Sequence, residues 1–248
     1  MTTSKKIFTL AQFSDCHLFS DKEARHLGAN VWKNLNRVLT DIAKRTTIDC
    51  VVFTGDLTQD HSEQSYQHFV SAIQKAKIPT AVHFVLGNHD DRVLVTKHLS
   101  SPSFDDSKTI DSDFWQIQLL DSKSDTPSGL VSTQHIHLLS QQMNQKKSQL
   151  LMMHHHPIDV GYFIDEHGLQ SKDSFWQALK AHGNIKGIAC GHVHRAVHLS
   201  ECNVDVYTCP ATSVQFGDTK EDIGSIEPSY RLFHLASDGS ISSEIIAL

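Results

Sequence analysis

Gly87-Asn88-His89-Asp90 closes the apolar run Ala81–Leu86 and puts a bendable glycine, an amide, an imidazole and a carboxylate on one turn. Asn88 offers a metal an oxygen ligand that adds no charge, and His89 offers an acid or base that titrates near neutrality. Four such residues alone make an ordinary turn. Four other blocks, however, follow apolar runs in the same way: Asp15-Cys16-His17, Gly55-Asp56, His154-His155-His156-Pro157 and Gly191-His192-Val193-His194. In open α/β sheets ligands bind beyond the carboxyl ends of the strands, so the five blocks can share one cleft.

Their donors are oxygen and nitrogen, which suits Mn, Fe, Zn or related ions and disfavours thiolate chemistry. Seven good ligands exceed the needs of one ion; two ions about 3.5–4 Å apart, sharing a carboxylate, use them all. Two divalent ions less two aspartates and a hydroxide leave roughly +1, a charge that attracts a phosphate ester. Each block also has a bland reading. An Asp or His at a strand end is commonly a turn residue or cap. Three adjacent histidines can scavenge metal at a surface, or send only one ring inward. His192 and His194 share a side only if the chain stays extended. Cys16 reads as packing, and His26, His68, His98 and His182 as surface.

The elements that must position these groups can be read in order. Ile7–Phe13, Cys50–Phe53 and Ala81–Leu86 are buried-strand candidates. Between them, Val31, Leu35, Val38, Leu39 and Ile42 recur at helical spacing after a possible Asn30 cap. Tyr66, Phe69, Val70 and Ile73 do so after Asp60 and Glu63, which have capping-box spacing, and Pro79 ends that helix. Ser100–Ser112 reads as loop, Phe114–Leu120 as strand, and Ile136, Leu139 and Met143 as a helix. Leu150–Met153 is a strand, Ile158–Leu169 a loop, and Phe175, Trp176 and Leu179 a helix face. Ile185–Cys190, Val204–Cys209, Tyr230–Leu235 and Ile241–Ile246 are strands, the last two joined by Asp238-Gly239.

At 248 residues and 39% hydrophobic, with no linker or repeat, the chain reads as a single α/β domain spanning 1–248. A net charge of -6 argues against a nucleic-acid groove. Five cysteines without CxxC spacing read as reduced thiols in a cytoplasmic protein. No signal peptide or membrane helix can be placed.

Asp15-x-His17, Gly55-Asp56, Gly87-Asn88-His89-Asp90, His155-x-Pro157 and Gly191-His192-x-His194 resemble the signature of the calcineurin-like metallophosphoesterases. Asp15 to Phe19, Gly55 to Asp60, His154 to Pro157 and Cys209 to Phe216 further resemble the bacterial class III 3′,5′-cyclic AMP phosphodiesterases. The resemblance implies a four-layer α/β/β/α sandwich of two mixed sheets. It implies two divalent or mixed-valence transition metal ions, Fe, Mn or Zn. Asp15, His17 and His194 would hold one, Asn88, His155 and His192 the other, and Asp56 would bridge, with His154 and His156 outside the ligand set. The implied reaction is attack of a metal-bridging hydroxide on cyclic AMP, giving 5′-AMP, with Asn88 and His89 at the phosphate and Asp60 or Asp90 orienting His89. Phe163 and Phe216 are either platforms for the base or core aromatics. Implied partners are a small nucleotide substrate, with no nucleic acid or membrane, in a monomer or homodimer. Other readings are a phosphodiesterase for glycerophosphodiesters or other small diesters, a metal-binding interaction scaffold, or a metal buffer.

Overall fold

The structure of residues 5–248, a computed structural model, shows why the apolar runs lack polar alternation: the central strands are buried on both faces. In chain order the elements begin β1 (Ile7–Phe13), α1 (Val31–Lys44), β2 (Cys50–Phe53), α2 (Glu63–Ala76), β3 (Val82–Phe84), α3 (Arg92–His98) and β4 (Phe104–Asp105). They continue β5 (Thr109–Asp111), β6 (Trp115–Leu119), α4 (Thr133–Gln142), β7 (Ser148–Met153), a 3-10 helix (Phe163–His167), α5 (Lys172–Leu179) and β8 (Ile185–Cys190). Strands β9 (His198–Glu201), β10 (Val204–Thr208), β11 (Gln215–Phe216), β12 (Ile223–Ser225), β13 (Ser229–Ala236) and β14 (Ile241–Ala247) follow.

Two six-stranded mixed sheets form, in the orders β14-β13-β1-β2-β3-β4 and β5-β6-β7-β8-β10-β9. Side chains alternate across each strand. Val51 and Phe53 of β2 pack with Leu35, Val38 and Leu39 of α1 and Phe69 of α2, while Cys50 and Val52 point into the layer between the sheets. In β7, Leu150 and Met152 join that inter-sheet layer, and Leu151 and Met153 pack with Ile136, Phe175 and Leu179 of the other helix layer. The result is the expected four-layer sandwich. β1, β2 and β3 run parallel, as do β6, β7 and β8.

Asn30 caps α1 as its sequence suggests, accepting from the Lys33 N–H. α2 differs from expectation. Ser62 is its cap, and Asp60 accepts from the Ser20 N–H at 2.7 Å, tying the segment after β1 to the one after β2. That helix stops at Ala76 with Lys77 left-handed, and Pro79 lies beyond it. α3 is absent from the sequence reading because its seven residues bury only Val95, too few for a period. The presumed loops 100–112 and 158–169 hold β4, β5 and the 3-10 helix. All five cysteines are free, and Cys16 packs in the core as expected. No helix among the described residues is long and apolar enough to cross a membrane.

One buried side chain fastens the chain that returns from β10. Asn34 of α1 donates to the carbonyls of Ser213 and Ile226 at 2.8 and 2.9 Å, on either side of the β11–β12 hairpin. Asn34→Ala strands both carbonyls and is expected to cost about 1–3 kcal/mol, read as a lower urea midpoint at unchanged m value.

Candidate metal centre

Left-handed backbone brings the charged groups together. Asp15, His17, Asp56, His192 and His194 all have φ between 48° and 66°, a region costly for residues other than glycine. Hydrogen bonds hold them there: Asp15 N–H donates to Gly55 O, His17 N–H to Asp56 O and Leu18 N–H to Leu57 O, extending the β1–β2 pairing past both strand ends. Gly55 and Gly87 make the approach of β2 to β3 possible. A Cβ on Gly55 would lie 2.4 Å from Gly87 N, and one on Gly87 only 2.1 Å from Asp56 Oδ1.

Asp90 locks this junction. Its carboxylate accepts from the N–H groups of Gly87, Asp56 and Leu57 at 2.8–2.9 Å. It therefore braces the backbone around Asp56 and makes no contact with the His89 ring. Asp60 is occupied by Ser20 and Ser62. Neither carboxylate orients the His89 imidazole, so both alternatives from the sequence are corrected. The Asp56 Oδ1 accepts from the His89 N–H at 2.9 Å, and the ring packs edge-on to His17.

Two donor groups result, joined by two further sets of close donors, His17–Asp56–His89 and Asp15–Asp56–His154. Asp15, His17 and His194 form one: His17 Nε2 and His194 Nε2 are 3.1 Å apart, and His194 Nε2 lies 3.4 Å from Asp15 Oδ1. The other contains His154, His155 and His192. Asp56 Oδ2 stands between them, 3.7 Å from His17 Nε2 and 3.4 Å from His154 Nε2. Asn88 Oδ1 lies 3.1 Å from His154 Nε2, and His192 Nδ1 lies 3.2 Å from it.

Within the histidine run, the ring that faces Asp56 and Asn88 is that of His154, while His155, chosen from the sequence, stands in the same donor group beside it. Strand parity explains it. His154 continues the face of Leu150 and Met152, which looks toward the first sheet, and its Nδ1–H donates to Thr54 O at 2.7 Å. Both nitrogens of His155 are engaged elsewhere: Nε2–H donates to Pro127 O at 3.1 Å, and Nδ1 accepts from Ser122 Oγ at 2.9 Å. His156 reaches Asp165 at 3.2 Å, whose carboxylate also holds the N–H groups of Val160 and Gly161.

His26, expected at the surface, stacks on His17 with centroids 4.9 Å apart. His68, His98 and His182 are likewise half-buried. Phe216 lies flat on His194 at 3.9 Å, and Phe163 meets it at 5.4 Å; both are half-buried outside the apolar cores. His194 Nδ1 is bonded to Val214 O at 2.8 Å. His61 and Lys123, which no spacing marks out, bind the two carbonyls of the central turn: His61 Nδ1–H donates to His89 O at 3.0 Å and Lys123 Nζ to Asn88 O at 2.8 Å.

The donors fit cations. Imidazole lone pairs converge in a dry space, and His17 Nδ1 and His192 Nε2 are buried without a partner, which is unfavourable unless positive charge sits nearby. Burial first, and then repulsion from neighbouring imidazoles, pushes His17, His155 and His192 well below the ordinary imidazole range. Burial opposes charge on His154 and Asp56 as well, but their mutual attraction wins, raising His154 to about 9 and holding Asp56 well below the usual carboxylate range. A proton on His154 thus occupies a place suited to a cation, and a metal bound there displaces it.

Residues 8–196 match the calcineurin-like phosphoesterase family, and the chain belongs to it. Among named relatives, a probable cyclic nucleotide phosphodiesterase of Colwellia psychrerythraea is 47% identical over 97% of this chain and 95% of its own length. The 3′,5′-cyclic adenosine monophosphate phosphodiesterases CpdA of Vibrio vulnificus and Escherichia coli are 32% and 30% identical, over 98% and 95% of this chain and 91% and 88% of theirs. A dimetal phosphatase from Danio rerio shares the fold, with a TM-score of 0.64 over 97% of this chain and 98% of that one at 14% identity.

The buried histidines set the pH response of the metal-free protein. His17, His155 and His192 lie well below 6.5, and burial lowers His26 and His156 to about 4. The unfolded chain protonates these rings below pH 6.5 and the folded chain does not, so stability falls as pH drops from 6.5 toward 4. Burial beside Asp56 lifts Asp90 to about 6, so Asp90 protonates first in the folded state and offsets one proton. The stability from His154 is complete below 6.5 and is lost as pH rises through about 9. A stability maximum near pH 6.5 is expected, with uptake of at least about two protons on unfolding at pH 5. Urea unfolding of chelator-treated protein from pH 4 to 9 checks this; a flat profile contradicts it.

Proposed function

We propose that this protein hydrolyses 3′,5′-cyclic AMP to 5′-AMP with the help of two transition-metal ions. As a member of its family it is a metal-dependent phosphodiesterase; the substrate is inferred from what its relatives are named for. The observation that carries the two-ion reading is the position of Asp56 Oδ2 between His17 Nε2 and His154 Nε2, with a separate donor group on each side. Asp15, His17 and His194 would hold one ion and Asn88, His154 and His192 the other, with Asp56 in reach of both. Oxygen and nitrogen donors suit Fe, Mn or Zn. When bound, the ions supply a water-derived nucleophile near neutral pH and offset charge on the phosphoryl oxygens.

The chain's own residues do the rest. Two aspartates among neutral donors keep the net site charge low and positive, so an anionic diester is attracted. Asn88 and His89 stand on the turn braced by Asp90, where the phosphoryl group meets the protein. His89 is half-buried, and its backbone N–H is fixed by Asp56, while its ring stands close to the Asp56 carboxylate without a hydrogen bond to it. In hydrolysis the bond from phosphorus to the 3′-oxygen breaks, water oxygen replaces it, and one proton ends on the 3′-oxygen. A ring N–H of His89 donates to that departing oxygen.

The test is the Mn-loaded protein with cyclic AMP and with bis(p-nitrophenyl) phosphate. Release of 5′-AMP is expected. Hydrolysis of the aryl ester alone moves the substrate to another small diester, and hydrolysis of neither with two metals bound overturns the enzymatic reading. His89→Ala is expected to lower kcat by about 10²–10⁴ with metal content unchanged; loss of metal would show that His89 is a ligand instead.

A further inference from the structure

A cavity of about 380 Å³ is lined by His61, Asn88 and His89 on one side and by the loop Lys123–Pro127 on the other. We propose that this cavity binds the nucleoside half of a purine cyclic nucleotide, with Asp125 reading an exocyclic amino group on the base. The inference rests on the phosphodiesterase reading for its substrate and on separate geometry for its place.

Three observations locate it. The cavity adjoins the residues assigned to the phosphoryl group, and its volume falls in the range of about 300–1,000 Å³ usual for small-molecule sites. Its loop wall is built: Ser124 Oγ donates to Ser128 O at 2.6 Å and accepts from Thr126 N–H, and His155 Nε2–H holds Pro127 O. That last bond ties the loop to the second histidine of the run. The opposite wall carries two imidazoles, His61 stacked parallel to His89 within 4° and fastened to its carbonyl. Third, the rival platform is already occupied. One face of Phe216 is covered by His194 in a 3° stack, Phe163 packs against it, and Arg195 Nε donates to Phe216 O. The pair packs around a donor imidazole and leaves a base little to stack on.

The polar groups fix the class of ligand. The Asp125 carboxylate is exposed on the cavity rim and accepts hydrogen bonds only, so it favours an amino group over a ring carbonyl. Lys123, seated on Asn88 O, has N–H groups left for a sugar hydroxyl or phosphoryl oxygen. An adenine-type base satisfies Asp125, whereas its 6-keto counterpart presents an oxygen to it.

Two measurements test the proposal. In zinc-loaded protein titrated with 5′-AMP, amide shifts in NMR spectra are expected at His61 and Lys123–Pro127; shifts centred on Phe163 and Phe216, or no saturable binding, overturn it. In Asp125→Ala, the preference in kcat/KM for cyclic AMP over cyclic IMP is expected to fall about tenfold. An unchanged preference removes Asp125 from base recognition and overturns the proposal as stated. Absence of hydrolysis in the unmutated protein, with 5′-AMP still bound at Lys123–Pro127, defeats the reaction and leaves the subsite standing.

Discussion

The Asp90 carboxylate is the constraint on which the rest of the site depends. Three N–H groups from the ends of two neighbouring strands converge on its oxygens, in a place from which water is excluded. With those bonds made, Gly87 sits against the backbone of Gly55 and Asp56 more closely than any larger residue allows. Asp56 then has a single direction in which to point, toward the second sheet, and His89 takes its orientation from Asp56. The chemistry proposed for one turn is therefore set by a side chain that touches no reactant.

Opposite that junction, the second sheet contributes through histidines, two of which have their far nitrogens satisfied by backbone carbonyls. Thr54 O orients His154 and Val214 O orients His194. Backbone acceptors of this kind fix which nitrogen carries the proton and leave the other aimed at the shared space. Apolar contacts join the sheets along their length, but at the carboxyl ends the contact between them is ionic. Metal-free, that end is held by a carboxylate and a protonated imidazole; with cations bound, the same atoms face a stronger counter-charge.

Much of this was legible in the sequence because both halves of the sandwich bury their strands on both faces. Unbroken apolar runs such as Cys50–Phe53 and Leu150–Met153 stand out, and polar blocks follow them directly. Short elements were not legible: α3 buries one residue, β4 has two, and neither carries a period. Within the site, motif order pointed to His155, while parity along β7 turns His154 inward. That parity was present in the letters, since residues 150, 152 and 154 share a face, but its direction is known only once the second sheet is placed. His26, His61 and Lys123 act through stacking and backbone carbonyls, contacts that leave no pattern in one chain.

The left-handed residues around the centre have one more consequence. Aspartate and histidine tolerate that conformation better than most side chains, yet His17, His192 and His194 still adopt it at a cost, for what their rings reach. A glycine at any of the three would relax the main chain and remove the donor in the same stroke. Robustness and chemistry therefore pull in opposite directions at these positions. Selection for a sturdier protein alone would place glycine there.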